Sequence, residues 1–211
     1  MIRVFIADDH PILREGLKRI LIDCNDMELV GETGDGYDLI KQCNELNIDV
    51  LLLDISMPGP GFLDTLNRIK IKHPRMQVLV LSIHPEDHYA LRAIKAGAAG
   101  YLTKDHSPDE LAKAIRHVHQ GRKFLSSVLV DELATKFQEG EDSIELHKNL
   151  SNREYQTLCL LGSGKNINEI AKHLSLSPKT VSTYRYRLLA KMKLSSTGEL
   201  IRYAVEHNME I

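Results

Sequence analysis

The sequence predicts an α/β architecture: a five-stranded parallel, doubly wound (flavodoxin-like) sheet, followed by a small all-α domain of four helices. Three observations carry this. Short, nearly continuous apolar runs of strand length recur through residues 1–121, each followed by a stretch with helical spacing. From Ser151 onward the pattern is helical throughout. Between the two lies a polar stretch, Glu139-Gly140-Glu141-Asp142-Ser143, of linker composition.

The elements follow in order. Ile2–Ala7 is an apolar strand, and Ile12–Ile22 a helix with Ile12, Leu13, Leu17, Ile20 and Leu21 at helical spacing. Leu29–Glu32 is a short strand, Gly34-Asp35-Gly36 a turn, and Tyr37–Leu46 a helix. Val50–Leu53 is a fully apolar strand that runs into a Pro/Gly loop, Met57-Pro58-Gly59-Pro60-Gly61. Leu63–Lys72 is a helix ended by His73-Pro74. Val78–Leu81 is a strand, His88–Ala96 a helix stopped by Gly97, and Gly100–Leu102 a short strand. Ser107-Pro108-Asp109-Glu110 starts a helix that ends at Gly121, with Ser as N-cap, Pro in the first turn and acids at the positive end of the dipole. Five βα units with right-handed crossovers leave the strand order 2-1-3-4-5 as the natural choice. The domains expected are 1–121, a linker over 122–149 with one helix at Ser126–Phe137, and 150–211.

Composition bounds the function. Hydrophobic content of 43% and charged content of 27% are ordinary for a globular protein. No segment approaches the run of roughly 20 apolar residues that a membrane span needs. The first residues run straight into a strand, so a signal peptide is not expected and a cytoplasmic protein is. Cys24, Cys43 and Cys159 are far apart, without metal-ligand spacing, and are expected to be buried reduced thiols. Residues 1–149 hold 18 Lys+Arg against 24 Asp+Glu, whereas residues 150–211 hold 9 against 5. The acidic first part and the basic second part point to different partners, and nucleic acid suits the second.

In an open parallel sheet the ligand site lies beyond the carboxyl ends of the strands. There the first strand ends in Asp8-Asp9, the third in Asp54 and the fourth in Ser82, while the fifth leads into Thr103-Lys104. Three carboxylates brought together repel one another unless neutralised. A hard divalent cation does this most simply, and Mg²⁺ suits a site that also handles phosphate. Lys104 adds a positive charge and Ser82 a hydroxyl. His10, His84, His88 and His106 lack a paired spacing on a common face, so surface or capping roles are expected for them.

Asp8-Asp9, Asp54, Ser82, Tyr101 and Lys104 together resemble the signature of the receiver domain of bacterial response regulators, over all of residues 1–121. The resemblance implies that Asp54 takes a phosphoryl group from a histidine kinase. It implies Mg²⁺ held by the carboxylates of Asp9 and Asp54 and the backbone carbonyl of Ser56, with Asp8 acting mainly through water. Lys104 would pair with the phosphoryl oxygens. Ser82 and Tyr101 would be a switch pair, the hydroxyl moving toward the phosphate as the ring turns inward. Phe62 stands where many relatives have glycine, and Pro60 stiffens the same loop. A haloacid-dehalogenase-like phosphatase would want a second Asp two residues after Asp54 as proton donor; that residue is Ser56. A regulator that ignores phosphate and acts through partner binding is the other alternative.

In the last part, Ser151-Asn152-Arg153-Glu154 is a capping box opening a helix closed by Gly162-Ser163-Gly164. Ile167–Leu174 is a short helix, Ser175-Leu176-Ser177 a tight turn, and Pro178–Met192 a longer helix; Ser195 or Ser196 caps a last one. A short helix, a brief turn and a helix rich in Lys, Thr, Ser, Tyr and Arg is a helix-turn-helix arrangement. Ile170 to Val181 is similar to the LuxR-type DNA-binding domain, and the whole chain to the NarL/FixJ family. The run Ser177 to Arg187 resembles the GacA/UvrY branch of that family. Val181, Leu188 and Leu189 are expected to face the core. The resemblance sends Ser182, Thr183 and Tyr186 into the major groove of double-stranded DNA. Lys179, Thr180, Tyr184, Arg185, Arg187 and Lys165 are the further DNA-contact residues, mainly to phosphates. It further implies a receiver that masks the DNA face until Asp54 is modified, and a homodimer on DNA through the last helix.

Overall fold

Five parallel strands in the order β2-β1-β3-β4-β5 form the sheet of the N-terminal half, as the alternation of apolar runs and helices predicts. The coordinates are a computed structural model of residues 1–211, of which residues 1–82, 88–126, 129–131, 147, 150–174, 176–207 and 209 are described. The chain divides into two compact units, Met1–Gln138 and Glu139–Ile211.

In the first unit the strands are β1 (Ile2–Ala7), β2 (Met27–Thr33), β3 (Val50–Asp54), β4 (Gln77–Ser82) and β5 (Gly100–Thr103). The helices are α1 (Pro11–Ile22), α2 (Gly36–Glu45), α3 (Phe62–Lys72), α4 (His88–Lys95) and α5 (Pro108–His119). The central strand β3 is buried at every residue, because helices cover both faces of the sheet. One core cluster joins Ile6 and Leu52 of the sheet to Leu17 and Leu21 of α1 and to Leu111, Ile115 and Val118 of α5. Burying side chains of this size contributes about 1.5–3 kcal/mol each.

The cap expected of Ser107 forms, and the stretch read as a turn at Gly34-Asp35-Gly36 supplies another. Ser107 accepts from the N–H of Glu110 at the start of α5, and Asp35 accepts from Tyr37 and Asp38 at the start of α2. α2 starts one residue before the expected position, at Gly36, and α3 starts at Phe62. Phe62 is buried and roots the preceding Pro/Gly loop in the core. The same loop is tied to α2: Gly36 donates to the carbonyl of Pro58 at 2.9 Å. Gly59 sits at φ +116°, and a Cβ there would lie 3.2 Å from Gly36 backbone atoms, so only glycine is accommodated without strain.

The free edge of β5 is covered. After α5 the chain returns so that Phe124 donates to the Ala99 carbonyl at 3.0 Å and accepts from Tyr101 at 3.3 Å. This protects an otherwise open sheet edge. Of the helix expected over Ser126–Phe137, residues 129–131 are helical and Ser126 is not. The remainder of it, and the polar stretch 139–143, lie outside the described residues. Cys43 and Cys159 are buried, and burial pushes the Cys43 thiol up to about 11, which leaves it unreactive. The expectation for Cys24 is corrected: it follows the last turn of α1 and is only partly buried.

The second unit holds α6 (Asn152–Gly162), α7 (Ile167–His173), α8 (Pro178–Met192) and α9 (Thr197–Glu206). The Ser151–Glu154 capping box forms. A second one, Asn166–Glu169, opens α7. Gly162 lets α6 and α9 approach closely, since a Cβ on it would meet the Cβ of Ala204 at 2.7 Å. Among the described residues no helix is long and apolar enough to cross a membrane.

Candidate functional site

The carboxyl end of the sheet gathers the residues that the strand order brings there. Asp8 follows β1 and Asp54 ends β3, and both are almost fully buried. Lys104 follows β5; its ammonium lies 2.7 Å from Asp8 Oδ2 and 3.1 Å from Asp54 Oδ1. Its backbone N–H donates to the Ser82 carbonyl at 2.6 Å, which fixes the turn that delivers the side chain. Asp9 is 34% exposed at the lip of the site. Residues 8, 9, 54 and 104 therefore share one neighbourhood.

The electrostatics follow from burial. Removing Asp54 from water pushes its carboxyl up to about 6, and the Asp8 charge adds to that. The Lys104 ammonium and the backbone at Ser56 offset part of the rise. Asp54 Oδ2 is buried without a hydrogen-bond partner, while Asp9 Oδ1 is met by His10 Nδ1 at 2.7 Å. Ligand atoms of Asp8, Asp9, His10 and Asp54 all lie within 4.8 Å of one another. A buried oxygen left unpaired among donors at this spacing suits a divalent cation.

Ser82 is fully buried at the end of β4, in register with Thr103. Tyr101 is fully buried on β5, so its ring already lies inward here. Ser56 is exposed beyond β3. His10 is exposed, as expected of a surface residue, yet its ring has partners. It precedes α1 but makes no side-chain cap; instead its Nδ1 lies 2.7 Å from Asp9 Oδ1 and 3.2 Å from Asp8 Oδ1. A search for paired histidines misses this, because its partners are carboxylates. His106 turns Nδ1 back to the Thr103 carbonyl. His84 and the side chain of His88 lie outside the described residues.

The second unit presents a different kind of site. Val181, Leu188 and Met192 of α8 are buried, two turns and then one turn apart. Leu189 is half-buried instead of fully inside. Lys179, Thr183, Tyr186 and Arg187 are exposed on the opposite face, with Tyr186 72% exposed. Ser182 beside them, Thr180, Tyr184 and Lys165 are half-buried. Thr180 is engaged at the helix start, where its hydroxyl lies 2.8 Å from the Ser177 hydroxyl. Arg185 is turned away from the exposed face: it donates to Thr197 Oγ1 at 3.2 Å, at the first residue of α9. The first turn of α8 holds no acid, so the helix dipole and Lys179 offer a positive end to an anion.

Glu154 ties this arrangement together. Buried at the start of α6, it accepts from the Ser151 N–H at 2.7 Å and from Lys191 of α8 at 2.7 Å. Burial raises its carboxyl, but these two donors outweigh it and hold the group below its ordinary value.

Comparison with known proteins gives the family. A model described as the response regulator receiver domain matches residues 4–116, and one described as bacterial regulatory proteins of the luxR family matches residues 148–204. The chain belongs to the NarL/FixJ response regulators. This response regulator is 37% identical to the response regulator UvrY of Escherichia coli over 99% of the chain and 96% of that protein. It is 37% identical to the response regulator GacA of Pseudomonas aeruginosa over 99% and 98%. The structure of RcsB from Salmonella enterica serovar Typhimurium, bound to the promoter rprA with the phosphomimetic BeF3-, superposes with a TM-score of 0.64 at 29% identity, covering 96% of this chain and 97% of that one. As a response regulator it joins a receiver to a LuxR-type DNA-binding, transcription-regulating domain, with a histidine kinase as the partner of the receiver.

Proposed function

We propose that this response regulator takes a phosphoryl group on Asp54 and that the modification controls sequence-specific binding of a homodimer to DNA. The observation that carries it is the unequal treatment of the two Asp54 oxygens. Lys104 holds Oδ1, whereas Oδ2 is buried and unpaired, ready to act as the nucleophile.

In the proposed step an electron pair on Asp54 Oδ2 forms the new P–O bond. The P–N bond to the phosphohistidine of the kinase breaks, and its electrons return to the imidazole. Asp54 becomes an acyl phosphate, and the Lys104 ammonium shifts from carboxylate to phosphoryl oxygens. Asp9, Asp54 and the Ser56 carbonyl are the Mg²⁺ ligands in this reading, with Asp8 acting through water. Mg²⁺, when bound, offsets the negative charge that crowds the transferring group. The rest is positioning and electrostatics supplied by the chain. Ser82 then donates its hydroxyl to the phosphoryl group, and Tyr101 packs in the space behind it.

On the DNA side, Ser182, Thr183 and Tyr186 read bases in the major groove. Lys179, Thr180, Tyr184, Arg187 and Lys165 meet the backbone, and Arg185 reaches a phosphate only by leaving Thr197. The RcsB structure bound to promoter DNA with BeF3- supports the coupling of the two sites by analogy. The domain limits in this proposal are 1–121, 122–149 and 150–211, and the compartment is the cytoplasm, where promoters are. The test is incubation with a small acyl phosphate and Mg²⁺. The intact mass should rise by one phosphoryl group, labile to hydroxylamine and mapped to the Asp54 peptide. An Asp54→Asn protein that gains the same mass would refute the assignment.

A further inference from the structure

We propose that His10 is a further donor of the cation site, so that the site binds a transition-series divalent ion such as Co²⁺, Ni²⁺ or Zn²⁺ through mixed imidazole and carboxylate ligands. The inference rests on reading this rim as a cation site and adds to its oxygen ligands a nitrogen.

Four observations lead there. His10 occupies the N-cap position of α1 without making a side-chain cap, so its ring is available for another use. That ring is turned into the carboxylate cluster, with Nδ1 at 2.7 Å from Asp9 Oδ1 and 3.2 Å from Asp8 Oδ1. Lys104 takes Asp8 Oδ2 and Asp54 Oδ1, but Asp54 Oδ2 remains buried without a hydrogen-bond partner, on a residue only 2% exposed. Donor atoms from Asp8, Asp9, His10 and Asp54 fall within 4.8 Å of one another. Ligands at about 2.1 Å from one ion stand up to about 4.2 Å apart, so closure onto a metal asks for a shift of only about half an ångström. His10 is 60% exposed, so its ring can make that adjustment without disturbing the core.

The choice of ion follows from ligand chemistry. Carboxylate, carbonyl and water donors suit Mg²⁺, and affinity for a given mixed set rises from Mn²⁺ through Co²⁺ and Ni²⁺. Adding one imidazole therefore favours the later ions over Mg²⁺, which prefers oxygen. The surroundings are consistent with net positive charge being accepted: Asp8, Asp9 and Asp54 face the same point, with Lys104 the cation already present there.

The experiment uses the full chain, titrated calorimetrically with Mg²⁺ and with Co²⁺, in wild type and in His10→Asn. Asparagine is a good N-cap, so α1 is preserved. The expected result is that His10→Asn lowers Co²⁺ affinity by at least about tenfold, the low end of what losing even an outer partner of a metal ligand costs, and leaves Mg²⁺ affinity within about twofold. The Co²⁺ protein should also show a strongly shifted, solvent-exchangeable imidazole N–H proton resonance that the variant lacks. Co²⁺ binding with no such resonance, or an unchanged Co²⁺/Mg²⁺ preference in the variant, would overturn the role of His10 and leave the oxygen site standing. Binding of neither ion to wild type would overturn the cation site itself.

Discussion

Replacing Glu154 by alanine tests how the recognition helix is held. The carboxylate is 3% exposed and accepts from the Ser151 N–H and the Lys191 ammonium, each at 2.7 Å. Its half of the capping box is worth about 1 kcal/mol. A hydrogen bond to a charged group contributes about 1.5–3 kcal/mol, but Lys191 is 42% exposed and regains water, so its share falls below about 1 kcal/mol. The loss is therefore about 2 kcal/mol. If α6 opens in a rapid equilibrium, its amides should exchange about thirty-fold faster. Hydrogen exchange read by mass spectrometry on the full chain measures this. Lys191→Ala should cost no more than about fivefold, since it leaves the cap intact. Because Glu154 is held below its ordinary value of 4.5, its contribution is present above that pH and disappears as pH falls through the folded value. Wild type and Glu154→Ala should thus converge on acidification. Exchange in α6 unchanged by Glu154→Ala, or an equal effect of Lys191→Ala, would refute the reasoning.

Gly162→Ala should destabilise the second unit by about 1–3 kcal/mol despite the better helix propensity of alanine, because the new methyl meets Ala204; a rise in thermal midpoint would contradict this. Lys179→Ala should weaken binding to all duplexes and flatten the log–log salt dependence by about 0.9 for each phosphate it no longer neutralises, whereas Tyr186→Ala should reduce the preference for a specific site; gel shifts across a salt series separate the two. Burial holds Asp54 at about 6 against an ordinary 3.8, so its stabilising contribution to the first unit is complete below the lower value and is lost as pH rises through the upper one. That amounts to about 3 kcal/mol, and Asp54→Asn should remove this slope when denaturant midpoints are measured without divalent ions. An identical slope in the variant would place its origin elsewhere.

Much of the fold is legible in the sequence, because short apolar runs such as Ile2–Ala7 and Val50–Leu53, each followed by a helical pattern, point to strands covered on both faces. Ser107-Pro108 and Ser177-Pro178 mark helix starts by local chemistry alone, and both helices begin as read. The edge cover at Phe124 is not legible: Arg122-Lys123-Phe124 has no periodicity, and its backbone pairing depends on where α5 delivers it. The rim of Asp8, Asp54 and Lys104 follows from topology once strand order is known. What strand order does not supply is side-chain direction. His10 reads as a surface or capping residue yet turns to the carboxylates, since Pro11 fixes the helix start without it. Arg185 reads as one more basic residue of α8, yet its place on the helix sends it toward Thr197, a partner twelve residues away whose proximity depends on the turn between α8 and α9.

The central claim, that charge placed on Asp54 governs DNA binding through α8, is tested most directly by fluorescence anisotropy. A labelled duplex selected by the protein is titrated with and without beryllofluoride plus Mg²⁺, in wild type and in Asp54→Asn. Tighter binding of wild type with the acyl-phosphate mimic, and no response in Asp54→Asn, is the result expected. Indifference of wild type to beryllofluoride, or an equal gain in the variant, would contradict it.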